Sequence, residues 1–145
     1  MSCTNCSCNH YPRYQSSVMN VEHTYDLMVI GESPSAIETM HGRKMSGAGG
    51  QVLRETLQKV GLPYTDKDVY YTDALKCAIP KKKGQKVPKD APVCCRQYLL
   101  WEIREVKPKM ILVCGAIALQ TLTGNDKIKI TEEYGRVREY EWLYR

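Results

Sequence analysis

Short unbroken apolar runs alternate with helically spaced apolar stripes along this chain. Leu27-Met28-Val29-Ile30 is such a run, and it ends at Gly31, as expected of a buried strand feeding a loop. After a glycine-rich stretch, Val52, Leu53, Thr56, Leu57 and Val60 recur at helical spacing until Gly61-Leu62-Pro63 closes the helix. Val69 to Leu75 reads as a second strand. Pro92 then sits where a helix begins, with Tyr98, Leu99, Ile103 and Val106 on one face until Pro108 stops it. Met110-Ile111-Leu112-Val113 is a third strand, running into Gly115 and a short helix with Ala118, Leu119 and Leu122. Alternation of this kind predicts an α/β fold: a three-layer α/β/α arrangement with a short, mostly parallel central sheet. Ligands of such sheets bind beyond the carboxyl ends of the strands, here Gly31-Glu32-Ser33, Asp73 to Cys77 and Cys114-Gly115.

Length and composition narrow the chemistry. With 145 residues the chain fits one domain, 1–145, and buries enough core to fold without disulfides, so its seven cysteines need another reason. No leader-like start and no apolar run of roughly 20 residues is visible, which predicts a cytoplasmic protein whose thiols stay reduced. Cys3 and Cys6 form a CxxC, and Cys77 and Cys95 lie far away in the chain. Together they suggest four thiolates around one inorganic centre. Residues 1–24 show no periodicity and read as an arm that only a metal would order. The formal charge is +5, with a local excess at Lys81, Lys82, Lys83, Lys86 and Lys89. A basic loop of this kind favours a polyanion, although lysine runs are often no more than a solvated face.

The motifs at the strand ends resemble those of the iron-sulfur uracil-DNA glycosylases, the family-four branch of that superfamily. GESPSAIETMHGRKMSGAGG keeps Gly31, Glu32, Pro34, Glu38, Gly42, Gly47 and Gly50 in step with the family's first motif. Asp73-Ala74-Leu75-Lys76-Cys77 stands for N-x-x-KC, and Cys95-Arg96-Gln97-Tyr98-Leu99 for C-R-x-Y-L. Pro108-Lys109 to Gly115 and Ala118, then Tyr134-Gly135-Arg136, extend the likeness over about residues 3 to 138.

The resemblance implies a glycosylase that flips a pyrimidine out of DNA and hydrolyses its N-glycosidic bond. It also implies that Cys3, Cys6, Cys77 and Cys95 hold a [4Fe-4S] cluster. The register favours Cys95 over Cys94, because Cys95 precedes Arg-x-Tyr-Leu, and it leaves Cys8 and Cys114 outside the ligand set. Zinc is the rival occupant of four thiolates. Glu32, Ser33 and Glu38 would border the attack site, although an ordinary surface role is the alternative for the two carboxylates. Gly42, Gly47 and Gly50 would admit the sugar-phosphate, and Lys81, Lys82, Lys83 and Lys86 would hold phosphates.

Two positions depart from the family pattern. Met45 stands where the family stacks a Phe, and a thioether covers a base face with less defined geometry. Asp73 replaces the Asn that reads the base edge. An ionised Asp only accepts hydrogen bonds, so uracil recognition would weaken unless Asp73 is protonated, whereas cytosine's amine would suit a carboxylate. The family's later HPS-type motif has no counterpart here, and none of His10, His23 or His41 lies in that context. The expected fold is therefore C-terminally shortened. The competing expectation is a catalytically impaired, DNA-binding or scaffolding subunit of a repair or replication assembly, with a second protein chain completing or docking on the C-terminal edge. The aromatic tail Val137 to Tyr144 would then be a partner-binding strand, or else ordinary packing. A metal-stabilised regulator of unrelated ancestry is the remaining reading.

Overall fold

The computed structural model describes residues 3–13 and 23–141. Its centre is a three-stranded parallel sheet in the order β2-β1-β3, built from β1 (Leu27–Gly31), β2 (Val69–Asp73) and β3 (Met110–Val113). The β1 strand lies in the middle and is buried along its whole length, which is why it reads as a continuous apolar run rather than an alternating one. Successive side chains of β1 point to opposite faces. Met28 and Ile30 pack with Leu99, Ile103 and Val106 of α3 (Asp90–Val106) and with Ala118 and Leu122 of α4 (Ala116–Thr123). Leu27 and Val29 pack on the other side with Leu57 and Leu53 of α2 (Ala48–Lys59). These two cores make the three-layer α/β/α arrangement that the pattern predicts.

Local chemistry sets the element ends. The C-cap of α3 is Lys107 in the left-handed conformation, followed by Pro108, which cannot continue a helix. At the close of α2, Leu62 N donates to Leu57 O at 2.9 Å across the left-handed Gly61. Two helices go beyond the periodicity reading: α1 (Ala36–His41) and the single turn α5 (Ile130–Glu133). The β2 strand also stops at Asp73 rather than Leu75, and α3 begins at Asp90, before Pro92.

Of the N-terminal arm, 3–13 are described and 14–22 are not. The described part packs on the sheet end: Arg13 bridges Cys77 in antiparallel fashion and Ala78 N donates to Pro12 O at 2.7 Å. In the tail, 137–140 are irregular rather than a strand, and Tyr140 packs against the core shared by α3 and α4. Trp142 and Tyr144 fall outside the described residues. Among those described, no helix is long and apolar enough to cross a membrane.

Candidate functional site

The chain leaves β1 toward β2 on one side and returns to pair β3 on the other, so the strand order reverses around the carboxyl end of β1. Such a reversal opens a crevice beyond the strand ends, and Glu32 stands in it. Its Oε1 lies over Gly115, where an added Cβ would be only 2.6 Å away, and it receives a long 3.4 Å hydrogen bond from Ile117 N in the first turn of α4. Gly115 has φ 105°, a conformation that favours glycine, so the close approach of Glu32 and the backbone geometry both depend on this residue.

Beside Glu32 a cleft of about 350 Å³ is lined by Ser33, Leu75, Ile79, Pro80, Gln85, Val87 and the lysines Lys81, Lys82, Lys83 and Lys86. The structure thus places the exposed lysine loop opposite two of the residues expected at the attack site. Among the described residues no histidine lines this cleft. Among the described residues His23 Nε2 pairs with Lys67 O at 2.7 Å, and His41 ends α1.

A second group meets at Gly31, one residue before Glu32. A Cβ on Gly31 would stand 2.6 Å from Asp73 Oδ1 and 3.1 Å from Met45 Sδ, so Asp73 and Met45 both close over its bare backbone. Asp73 is 3% exposed and its Oδ2 has no hydrogen-bond partner among the described residues. A buried carboxyl with an unpartnered oxygen resists ionisation. Burial pushes Asp73 up to about 7, with Lys76 and Lys44 pulling it down and Glu38 and Glu102 pushing it up. That oxygen is enclosed as well as unpartnered.

The loop carrying Met45 is clamped from two sides. Glu38 is 7% exposed, and its Oε1 accepts from Ser46 N and Gly47 N, both at 3.0 Å, while Oε2 accepts from Ser35 N at 2.8 Å. The sequence signal for α1 was therefore present in Ser35-Ala36-Ile37-Glu38, a capping box in which Glu38 N also donates to Ser35 Oγ at 3.1 Å. From the other side Arg54 donates to Lys44 O at 2.9 Å, Met45 O at 3.1 Å, Tyr64 O at 3.3 Å and Asp66 Oδ1 at 2.7 Å, and its guanidinium lies 3.9 Å from the Tyr71 ring centroid. These contacts hold Met45 at φ 53°, which a side-chain-bearing residue adopts only when its surroundings over-determine it. Gly50 lies under the same carbonyl, and a Cβ there would fall 2.1 Å from Met45 O. Gly42 ends α1, and Gly47 caps α2 with its N–H taken by Glu38. Arg54 gave no signal in the sequence beyond its place on a helix, because its partners, three backbone carbonyls, the Asp66 carboxylate and the Tyr71 ring, all lie elsewhere in the chain.

Behind β2, Lys76 is buried with its Nζ 3.0 Å from Glu102 Oε1 and 3.1 Å from Oε2, donating also to Thr72 Oγ1 at 2.9 Å and Asp73 O at 2.6 Å. This ion pair ties α3 to the segment running from Asp73 to Cys77.

The thiols gather at one end of the molecule. Cys6, Cys8, Cys77 and Cys95 are buried together with Leu75, Ile79 and Ala91, and Cys3 and Cys94 border them. All are free. Burial pushes up Cys3, Cys95 and Cys77, the last to about 11, with Cys95, Cys3 and Cys6 adding to the rise at Cys77 and Cys6 and Cys95 to that at Cys3. The four are thus close enough to interact. Yet among the described residues no three of them have sulfurs within 4.8 Å of one another. Free thiols brought to one nest are the donor set that an iron-sulfur cluster or a zinc ion takes. Cys114 stands apart, packed against the core between the sheet and α2.

Known proteins resemble this chain over most of its length. The family model of the uracil DNA glycosylase superfamily matches residues 19–143. The type-4 uracil-DNA glycosylase of Pyrobaculum aerophilum is 30% identical over 138 residues, covering 93% of this chain and 68% of that protein. That of Archaeoglobus fulgidus is 30% identical over 145 residues, 97% of this chain and 70% of its own length. A third, from Saccharolobus solfataricus, is 28% identical over 119 residues, 81% of this chain and 53% of that protein.

Proposed function

Because the chain belongs to the uracil DNA glycosylase superfamily, we propose that it hydrolyses the N-glycosidic bond of uracil or a related pyrimidine flipped out of DNA. The observation that carries this reading is the meeting of Asp73 and Met45 over Gly31, one residue from Glu32 and the lysine-lined cleft. A flipped base needs a covered face and a read edge, with its backbone held nearby. Met45 supplies the face, Asp73 the edge, and Lys81, Lys82, Lys83 and Lys86 the phosphate grip. Glu32 and Ser33 border the place where water attacks the sugar carbon. Glu38 serves the site through the loop, because its oxygens already hold the backbone that presents Met45.

Asp73 takes the place of an amide, and its buried state makes the substitution workable. A neutral carboxyl accepts from uracil N3–H through its carbonyl oxygen and donates to O4 through its hydroxyl, as an amide would. The ionised form only accepts, and pairs instead with the exocyclic amine of cytosine. Base choice then follows pH around the Asp73 value of about 7.

The four thiols Cys3, Cys6, Cys77 and Cys95 would hold a [4Fe-4S] cluster, in keeping with their free state and shared nest. Bound there, the cluster would pin the arm to β2 and α3 as a structural brace. Reduced thiols of this kind fit the cytoplasm.

A second reading, in which the chain binds DNA while catalysis is weak or supplied by a partner chain, is favoured by the exposed lysine loop along the cleft. Incubation with uracil-containing single-stranded DNA followed by alkali separates the two. Breaks at the uracil positions support the glycosylase. Salt-sensitive binding without breaks supports the binding subunit, and absence of binding overturns both.

A further inference from the structure

We infer that Lys76 and Glu102 are the positioning pair of the base-reading site: Glu102 holds the Lys76 ammonium against the peptide that follows Asp73, and the balance of these two buried charges sets which hydrogen-bonding form Asp73 offers a base. The inference rests on the reading of Asp73 as the group that meets the base edge. Neither member of the pair reaches DNA, since both are buried behind β2, Glu102 completely and the Lys76 side chain to within 3%.

A carboxylate buried on α3 persists only with partners. Lys76 Nζ lies 3.0 Å from Glu102 Oε1 and 3.1 Å from Oε2, and Thr72 Oγ1 donates to Oε2 at 2.6 Å. An ammonium has three N–H donors, and the other bonds of Lys76 run to Thr72 Oγ1 at 2.9 Å and to Asp73 O at 2.6 Å. The bond to Asp73 O bears on the site. The peptide joining Asp73 to Ala74 is gripped on both sides, because its N–H, that of Ala74, donates to Gly31 O at 2.8 Å. Leu75 N donates to Glu32 O at 2.8 Å one residue further on. The Asp73 carboxyl is therefore presented over Gly31 by a peptide that Lys76 holds in place.

The same pair acts on Asp73 by charge. Facing its carboxyl are Lys76 from its own segment, Glu38 from α1, Lys44 from the loop after α1 and Glu102 from α3, in falling order of influence. Lys76 favours the ionised form and Glu102 opposes it. Glu102 also faces the Lys44 ammonium, so one carboxylate offsets both cations beside the base-reading group. Without Glu102 the two ammoniums would draw Asp73 toward its acceptor-only form. Without Lys76, burial would keep it neutral to higher pH.

The test follows uracil release from single-stranded DNA by the full chain between about pH 5 and pH 9, in the parent, Glu102→Gln and Lys76→Met/Glu102→Leu, each checked for folding by circular dichroism. The midpoint of the alkaline limb should move down in Glu102→Gln. It should move up by about one unit in the double variant, where loss of the stronger influence, Lys76, outweighs loss of Glu102. Neither set of substitutions should shift the profile in the Asp73→Asn background. The inference is overturned if both midpoints move the same way, if neither moves, or if the shifts persist without Asp73. In those cases uracil release by the parent still upholds the glycosylase reading. If the parent releases no uracil, that reading fails, and carboxyl-carbon NMR of Asp73 in the same proteins decides the pair separately: opposite shifts uphold it, and shared or absent shifts overturn it. Should Glu102→Gln not fold, an unmoved or lowered midpoint in the double variant overturns the inference by itself.

Discussion

Replacing Asp73 with Asn should stabilise the protein, and the gain should grow with pH. The native carboxyl titrates at about 7 against an ordinary value of 3.8, chiefly because it is buried. Below the ordinary value both native and unfolded chains carry the proton, and the carboxyl costs nothing. Between the two values the unfolded chain has released its proton while the native one keeps it, so stability falls as pH rises across that window and levels off above it. A span of about three pH units at about 1.4 kcal/mol each gives a full penalty of about 4 kcal/mol, of which roughly 2.5 kcal/mol accrues between about pH 5 and pH 8. Asn carries no such term. Urea denaturation of both proteins at the two pH values, with slopes compared, should show their stabilities diverging by that amount. Parallel curves would refute the burial argument, and with it the neutral state of Asp73 on which uracil reading depends. Uracil release should follow the same titration, falling about ten-fold per unit above about pH 7 in the parent and staying flat in Asp73→Asn.

Three further outcomes test other parts of the site. Arg54→Met removes the donors that hold Lys44 O and Met45 O, and should cost about 2 to 4 kcal/mol in denaturation while raising KM for the base-containing strand more than it lowers kcat. Lys76→Met takes away the ammonium 3.0 Å from buried Glu102 and should destabilise by about 3 to 5 kcal/mol, whereas the pair Lys76→Met/Glu102→Leu should recover most of that loss, as read from thermal melts. Replacing Lys81, Lys82 and Lys83 with Ala should flatten the salt dependence of single-stranded DNA binding by a slope of about 2, measured by fluorescence anisotropy across a salt series.

The sheet was legible because burial on both faces leaves unbroken apolar runs, and Leu27 to Ile30 could hardly be anything else. The helix α1 was harder to see. It is short, exposes Ile37 and Met40, and announces itself only through the Ser35–Glu38 capping box, a polar signal that apolar periodicity does not register. Convergence of the cysteines was legible from spacing, whereas the preference for Cys95 over Cys94 came from the family register; Cys95 is the more buried of the two. The nearness of Cys94 to Asp90 and Cys6 was not legible, because it depends on how the arm folds back over the start of α3. Glu38 shows the limit of reading roles from motifs. Its position in the chain is that of an attack-site carboxylate, yet its oxygens are engaged by three backbone amides.

The antiparallel bridge between Arg13 and Cys77 has a consequence for how the molecule opens. Cys77 lies only a few residues ahead of the lysines that rim the cleft, and Ala78 is hydrogen-bonded to the same arm. Thiol nest and cleft rim are thus one cooperative unit, and their amides should exchange with solvent at a common rate, rising together when the arm is released.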